Sequence, residues 1–243
     1  ENSMLNSIKA DYYRLVRSVG FWGIQVFCVL GILLAIFTSR VTTSNSGFFF
    51  AMDAVSYNIG LLFIACNVVT TLLLGVDLNN KLYHNNLTTG KTRGQYYLAK
   101  SLTIASLILL QFFFLYAAGY VIEFLRSGGQ MGSLPADFWP KFLITFLIQC
   151  LCTYAWFCVT SFVLFLTRNY SMVFIVYFTV FIFLKIPGEL IDPNNDWFKA
   201  IVMEFVYEST ASFSMTSKTA IFAFALSLIF TLAGIYTFKR RDL

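Results

Sequence analysis

The chain has 243 residues, 58% of them hydrophobic and only 12% charged, and its mean hydropathy is +0.72. These proportions exclude an ordinary soluble domain and place most of the chain in lipid. The apolar runs are continuous and too long for the roughly 10-residue alternating strands of a membrane barrel, so the expected fold is an all-α membrane protein.

In chain order, Leu5, Ile8, Tyr12, Leu15, Val16 and Val19 recur at helical spacing with Lys9, Arg14 and Arg17 between them. Residues 1–18 therefore read as an amphipathic helix on the inner leaflet, with a plain basic cap on the first span as an equal alternative. Six runs then qualify, or nearly qualify, as spans of about 20 apolar residues, at 19–37, 55–76, 98–122, 142–166, 172–186 and 219–238. The first is long and lacks a small-residue cleavage site, so it is expected to be a span and not a removable signal. A polar, helix-prone stretch at 77–98 separates the second span from the third. A turn-rich loop, Ser127-Gly-Gly-Gln-Met-Gly-Ser-Leu-Pro135, follows the third. The fourth and fifth runs are joined only by Arg168-Asn-Tyr-Ser171, which predicts antiparallel neighbours.

The fifth run is short and is expected to close at Pro187-Gly188. Residues 187–218 then carry Trp197, Phe198, Ile201, Val202, Phe205 and Val206 on one stripe. That pattern predicts an outer interfacial helix or a re-entrant hairpin. A seventh span would bury Lys199, Glu204 and Glu208 at depth. No internal repeat is evident, and the chain reads as a single transmembrane domain over 1–243.

A cytoplasmic amino terminus puts Lys9, Arg14, Arg17, Lys81, Lys91, Arg93, Lys100, Arg168 and the Lys239-Arg-Arg241 tail inside, as the positive-inside rule asks. An even number of spans returns the other terminus to the same side, so both termini are expected in the cytoplasm. The acidic residues fall mostly outside, and the net charge of +5 gives no argument for nucleic acid.

Chemistry is sparse. Cys28, Cys66, Cys150, Cys152 and Cys158 all lie in predicted spans, where thiols act as small hydrophobes and not as disulfides or metal ligands. Gly90-Lys91-Thr92 ends like a phosphate-binding loop, but Asn85 stands where that pattern needs its first glycine, and no buried strand precedes it. Asn86-Leu-Thr88 and Asn169-Tyr-Ser171 match the glycosylation pattern on the predicted inner side, where it has no use. His84 is the lone histidine and no carboxylate lies near mid-span, so an intramembrane enzyme lacks its parts. The deep polar groups Asn67, Gln111 and Gln149, with Gln25 shallower, are neutral, which does not make a gradient-driven pump. Energy is therefore expected from a partner acting on the 77–98 loop.

The order of features resembles the membrane subunit of ABC-2 type ATP-driven transporters: an amphipathic first helix, six spans, a first inner loop carrying Asp77, Thr89, Gly90, Arg93, Tyr97 and Lys100, an outer region before the last span, and the tail Phe238-Lys-Arg-Arg-Asp-Leu243. A common variant of that family has an acidic pair early in the loop, whereas Asp77 here is followed by Asn79 and Asn80. The resemblance implies a second permease copy or a related chain, and cytoplasmic ABC ATPase subunits that bind ATP and Mg, with no cofactor on this chain. It implies a short coupling helix at 78–87, with Leu82, Tyr83 and Leu87 as apolar anchors and Asp77, Lys81, Lys91 and Arg93 as charge contacts. A solvated loop accounts equally well for the charges, and Arg93 can instead anchor to lipid phosphate.

The resemblance further implies a substrate path between the two permeases, lined by the second and fifth spans. Phe63, Asn67 and Thr70 would meet Phe174, Tyr177, Phe178 and Phe181 there, each set sharing one helical face. Plain helix packing explains such a stripe at least as well, and a neutral Asn serves as interhelical glue. An apolar, aromatic path suits amphipathic or hydrophobic peptides, as in small bacterial permeases for peptide export or antimicrobial-peptide immunity in the cytoplasmic membrane. The alternatives are a lipid, polysaccharide or drug cargo, or a non-transporting anchor of a cytoplasmic partner.

Overall fold

The structure, a computed structural model, describes residues 2–38, 47–80, 92–191 and 213–240. Among them it is helical throughout, with no strand. The helices are α1 (Asn2–Val16), α2 (Val19–Thr38), α3 (Gly47–Tyr57), α4 (Ile59–Thr70), α5 (Val76–Asn79), α6 (Arg93–Arg126), α7 (Phe138–Thr167), α8 (Tyr170–Ile191) and α9 (Phe213–Arg240), with a π-helical turn at Thr71–Gly75.

Among the described residues, five helical stretches are long and apolar enough to cross a membrane: Val19–Thr38, Ile59–Asn79, Arg93–Arg126, Phe138–Thr167 and Thr216–Phe238. The protein is thus a multi-pass membrane protein by length and composition. The outward faces agree with this. On α2 only Gln25, Cys28, Ile32 and Ile36 turn inward, while Trp22, Phe27, Leu30, Leu34 and Phe37 are all more than half exposed. So many uncovered apolar side chains suit lipid and not water.

Three boundaries differ from the sequence reading. The expected second span, 55–76, is divided at Asn58, and the stretch long enough to cross a membrane is Ile59–Asn79. Helix α3 precedes that stretch, and at the division the Asn58 side-chain amide donates to the Ala54 carbonyl at 2.8 Å. The third span starts at Arg93 and not at Leu98, because a capping box opens it. The Thr92 hydroxyl accepts from the Gln95 amide at 3.2 Å, and the Gln95 side chain accepts from the Thr92 amide at 3.0 Å, which satisfies two N–H groups at the helix end. Helix α8 runs on through Pro187 and Gly188 to Ile191. A proline inside a helix forfeits one backbone bond but does not always end it. Residues 181–191 continue α8 and 213–218 begin α9, whereas 192–212 of the expected re-entrant region lie outside the described residues.

Packing is closest where small residues let helices approach. A methyl group on Gly119 of α6 would come within 3.0 Å of Val55 in α3. Gly119→Leu is therefore expected to push α3 off α6 and destabilise the protein by about 1–3 kcal/mol, read as a lowered unfolding temperature in detergent. At Gly23 a methyl group would meet only open space, so Gly23→Ala should be tolerated and serves as the control.

Candidate functional site

Both feet of the 81–91 connection carry charge, and the fold turns that charge inward. Asp77 lies in α5, just before the connection, and its side chain is 3% exposed. Tyr96 and Lys100 lie on the first turns of α6, just after it, one helical turn apart and therefore on one face. From α1 come Asp11 and Arg14, three residues apart, also on one face.

These five side chains form a single cluster. Lys100 Nζ stands 2.5 Å from Asp11 Oδ1 and 2.8 Å from Asp77 Oδ2. The Tyr96 hydroxyl donates to Asp77 Oδ2 at 2.9 Å, and the Lys100 ammonium sits 5.5 Å from the Tyr96 ring centre. Arg14 pairs with Asp77 Oδ1 and donates to the Leu73 carbonyl, inside the π turn, at 2.9 Å. A second contact joins Arg14 to Asp11 at 3.8 Å. Two carboxylates face two cations, so the cluster is neutral, which is the condition under which buried charge is tolerated. Asp77 is held by three side chains, Arg14, Tyr96 and Lys100, and so ties α1, α5 and α6 at one point.

The expected coupling residues divide accordingly. Asp77 belongs to this cluster. Arg93 opens α6 and donates from Nη1 to the Phe238 carbonyl at 3.1 Å, with its guanidinium 6.0 Å from the Phe238 ring centre. The two are thus held by the protein itself. Lys81, Leu82, Tyr83, Leu87 and Lys91 lie outside the described residues.

The residues of the expected substrate path are brought together in part, and around a side chain that the sequence reading does not single out. Trp156 of α7 takes the Phe63 ring at 5.8 Å and the Tyr177 ring at 5.4 Å, and the Tyr177 hydroxyl donates to the Gly60 carbonyl at 3.2 Å. Asn67 accepts from Thr160 of α7 at 2.7 Å. Thr70 is fully buried and returns its hydroxyl to the Cys66 carbonyl. These are internal helix contacts. Phe174 is half-buried and Phe178 is 49% exposed, so only this edge of the stripe faces outward. The Phe181 side chain lies outside the described residues.

The other deep polar groups also pair with one another, although the Asn67 and Gln111 amide nitrogens are buried without a hydrogen-bond partner among the described residues. Gln25 of α2 donates to Gln111 of α6. Tyr116 donates to Gln149 at 2.7 Å, and Gln149 donates to Ser56 at 2.8 Å, linking α6, α7 and α3. All five cysteines are free and buried, and no group of metal-ligating side chains occurs among the described residues.

Sequence reasoning misses Asp11 and Tyr96; it treats Arg14 as an inside charge of the first helix, and Lys100 as an inside charge that the resemblance adds to the loop motif, without joining either to Asp77. The signals present are local, namely Asp11 and Arg14 at i, i+3 and Tyr96 and Lys100 at i, i+4. A scan of protein-family models finds no match to this chain, and neither does a search of curated proteins.

Proposed function

We propose that this chain is the membrane subunit of an ATP-driven exporter of the ABC-2 type, with six spans, both termini in the cytoplasm, an interfacial first helix, and an outer re-entrant or interfacial segment within 187–218. Two cytoplasmic ATPase subunits would bind ATP and Mg, and a second permease copy or a related chain would complete the pore in a bacterial cytoplasmic membrane. The observation that carries this reading is the buried charge cluster. It clamps both feet of the 81–91 connection to α1, so a push on the connection reaches α1, the π turn and α6 together. A loop that merely linked two spans would need no such desolvated clamp. The cargo proposed is an amphipathic or hydrophobic peptide, supported by the half-exposed Phe178 and by the lack of any charged side chain on the described parts of the second- and fifth-span stripes.

A second reading has its own support. Phe63, Asn67 and Thr70 are engaged in packing, which suits a membrane anchor or regulator of a cytoplasmic partner with no path at all. Co-purification in mild detergent with native neighbours separates the two. The transporter reading expects an ATPase to co-purify, with substrate-stimulated hydrolysis lost in Leu82→Asp/Tyr83→Ala while membrane insertion persists. A partner that never hydrolyses ATP, or full coupling in the double variant, rejects it.

A further inference from the structure

At the end of the bundle away from the charge cluster, a groove of about 420 Å³ opens between α6 and α7, with Phe48 of α3 and Leu134 also lining it. Along α6 its floor is Phe113, Tyr116, Ala117 and Tyr120, at i, i+3, i+4 and i+7, so it follows the helix axis for about 10 Å at 1.5 Å per residue. Phe138 and Phe142 of α7 form the opposite wall. Phe113 and Trp139, 70% and 58% exposed, are its lips.

Its depth follows from the charges on α6. Between Lys100 and Glu123 no charged residue occurs, a distance of about 35 Å that suffices to cross a hydrocarbon thickness of roughly 30 Å. The groove thus starts near the Glu123 interface and runs toward the middle of the membrane, parallel to the lipid chains. At its interfacial end Trp139 takes the position typical of indole rings at the headgroup level. On the same ends of α6 and α7 stand two ion pairs, Arg126 with Glu123 and Lys141 with Asp137, whose cations are about two-fifths exposed and lie over the Phe50 and Phe49 rings of α3. Each pair is neutral, so this rim offers phosphate a hydrogen-bonding partner without a net charge to select anionic headgroups.

We infer that this groove holds one acyl chain of a phospholipid, with the phosphate at the Arg126 and Lys141 rim. Direction, depth, carbon-rich aromatic lining and a polar rim at one end only all fit that occupant. An isolated organic cation would lose its water there without a carboxylate among the described lining residues to replace it. The seated chain bridges α6 and α7, so lipid binding stabilises the native bundle. The inference does not depend on the transport reading.

The test is native mass spectrometry of detergent-purified protein, together with unfolding temperature before and after adding phospholipid to delipidated samples. Wild type should retain one phospholipid, with phosphatidylethanolamine and phosphatidylglycerol held alike, and should gain stability on lipid addition. Ala117→Trp, which fills the floor, should lose both the adduct and the gain. Phe113→Ala removes a lip from an exposed position, so its fold should survive while the adduct weakens. Leu147→Trp, at another exposed site on α7, should behave as wild type. An adduct absent from wild type, kept in both groove variants, or replaced by a preference for an added amphipathic peptide over lipid would overturn the inference.

Discussion

Lys100→Ala is expected to destabilise the protein by about 3–5 kcal/mol, the usual cost of stripping one partner from a buried ion pair. Lys100 is the cation shared by both carboxylates, at 2.5 Å and 2.8 Å, and its side chain is only 6% exposed. Without it, Asp11 and Asp77 face Arg14 alone, and a net negative charge is stranded where water scarcely reaches. Arg14→Ala should cost less, about 1 kcal/mol, because the Arg14 side chain is 35% exposed and solvent screens what it leaves behind. Removing charge in a matched pair, as in Lys100→Met with Asp77→Asn, should recover much of the loss, since neutral replacement of a whole buried pair is often tolerated. Thermal unfolding in detergent ranks the three. If Lys100→Ala proved no worse than Arg14→Ala, the cluster would have to be hydrated and the clamp argument would fail. The matched double variant also separates structure from coupling. It should fold, yet on the proposed transporter reading it should transmit less from the 81–91 connection, visible as partner ATP hydrolysis that no longer responds to substrate.

What the sequence reveals and what it hides follow from the range of each interaction. Spans are legible because about 20 apolar residues in a row have no other stable place. Helix α3 is not, since 11 residues fall short of a span, and the break at Asn58 leaves no local mark. Same-face spacing groups Phe63 with Asn67 and Thr70, but periodicity cannot say which neighbours they meet: Phe63 packs on Trp156 and Asn67 bonds Thr160 of α7, while Thr70 turns back to the Cys66 carbonyl of its own helix. The charge cluster is hidden for the same reason. Lys100 and Asp11 are 89 positions apart and Arg14 and Asp77 are 63 apart, far beyond any helical repeat. The capping box at Thr92 and Gln95, by contrast, carries its signal within four residues, and it fixes where α6 begins.

Trp156→Ala is expected to cost about 3–5 kcal/mol, the range for deleting a large buried aromatic side chain. The ring is 4% exposed and is the common neighbour of Phe63 and Tyr177, so its loss leaves a cavity bordered by three helices. Its indole nitrogen is buried with no hydrogen-bond partner among the described residues. Trp156→Phe should therefore be mild, because it keeps a ring and gives up an unsatisfied donor without losing a bond. Phe178→Ala, at a half-exposed position, should stay within about 0.5 kcal/mol of wild type. The contrast bears on function. If the second and fifth spans line a path, that path must run along the Phe178 edge or open by withdrawing Trp156 from between Phe63 and Tyr177. Phe178→Ala would then impair transport at unchanged stability, and Trp156→Phe would alter transport more than folding. If those residues only pack, transport and ATP hydrolysis should track stability across all three variants. Unfolding temperature plotted against turnover for the same purified samples distinguishes a single line from an outlying Phe178 variant.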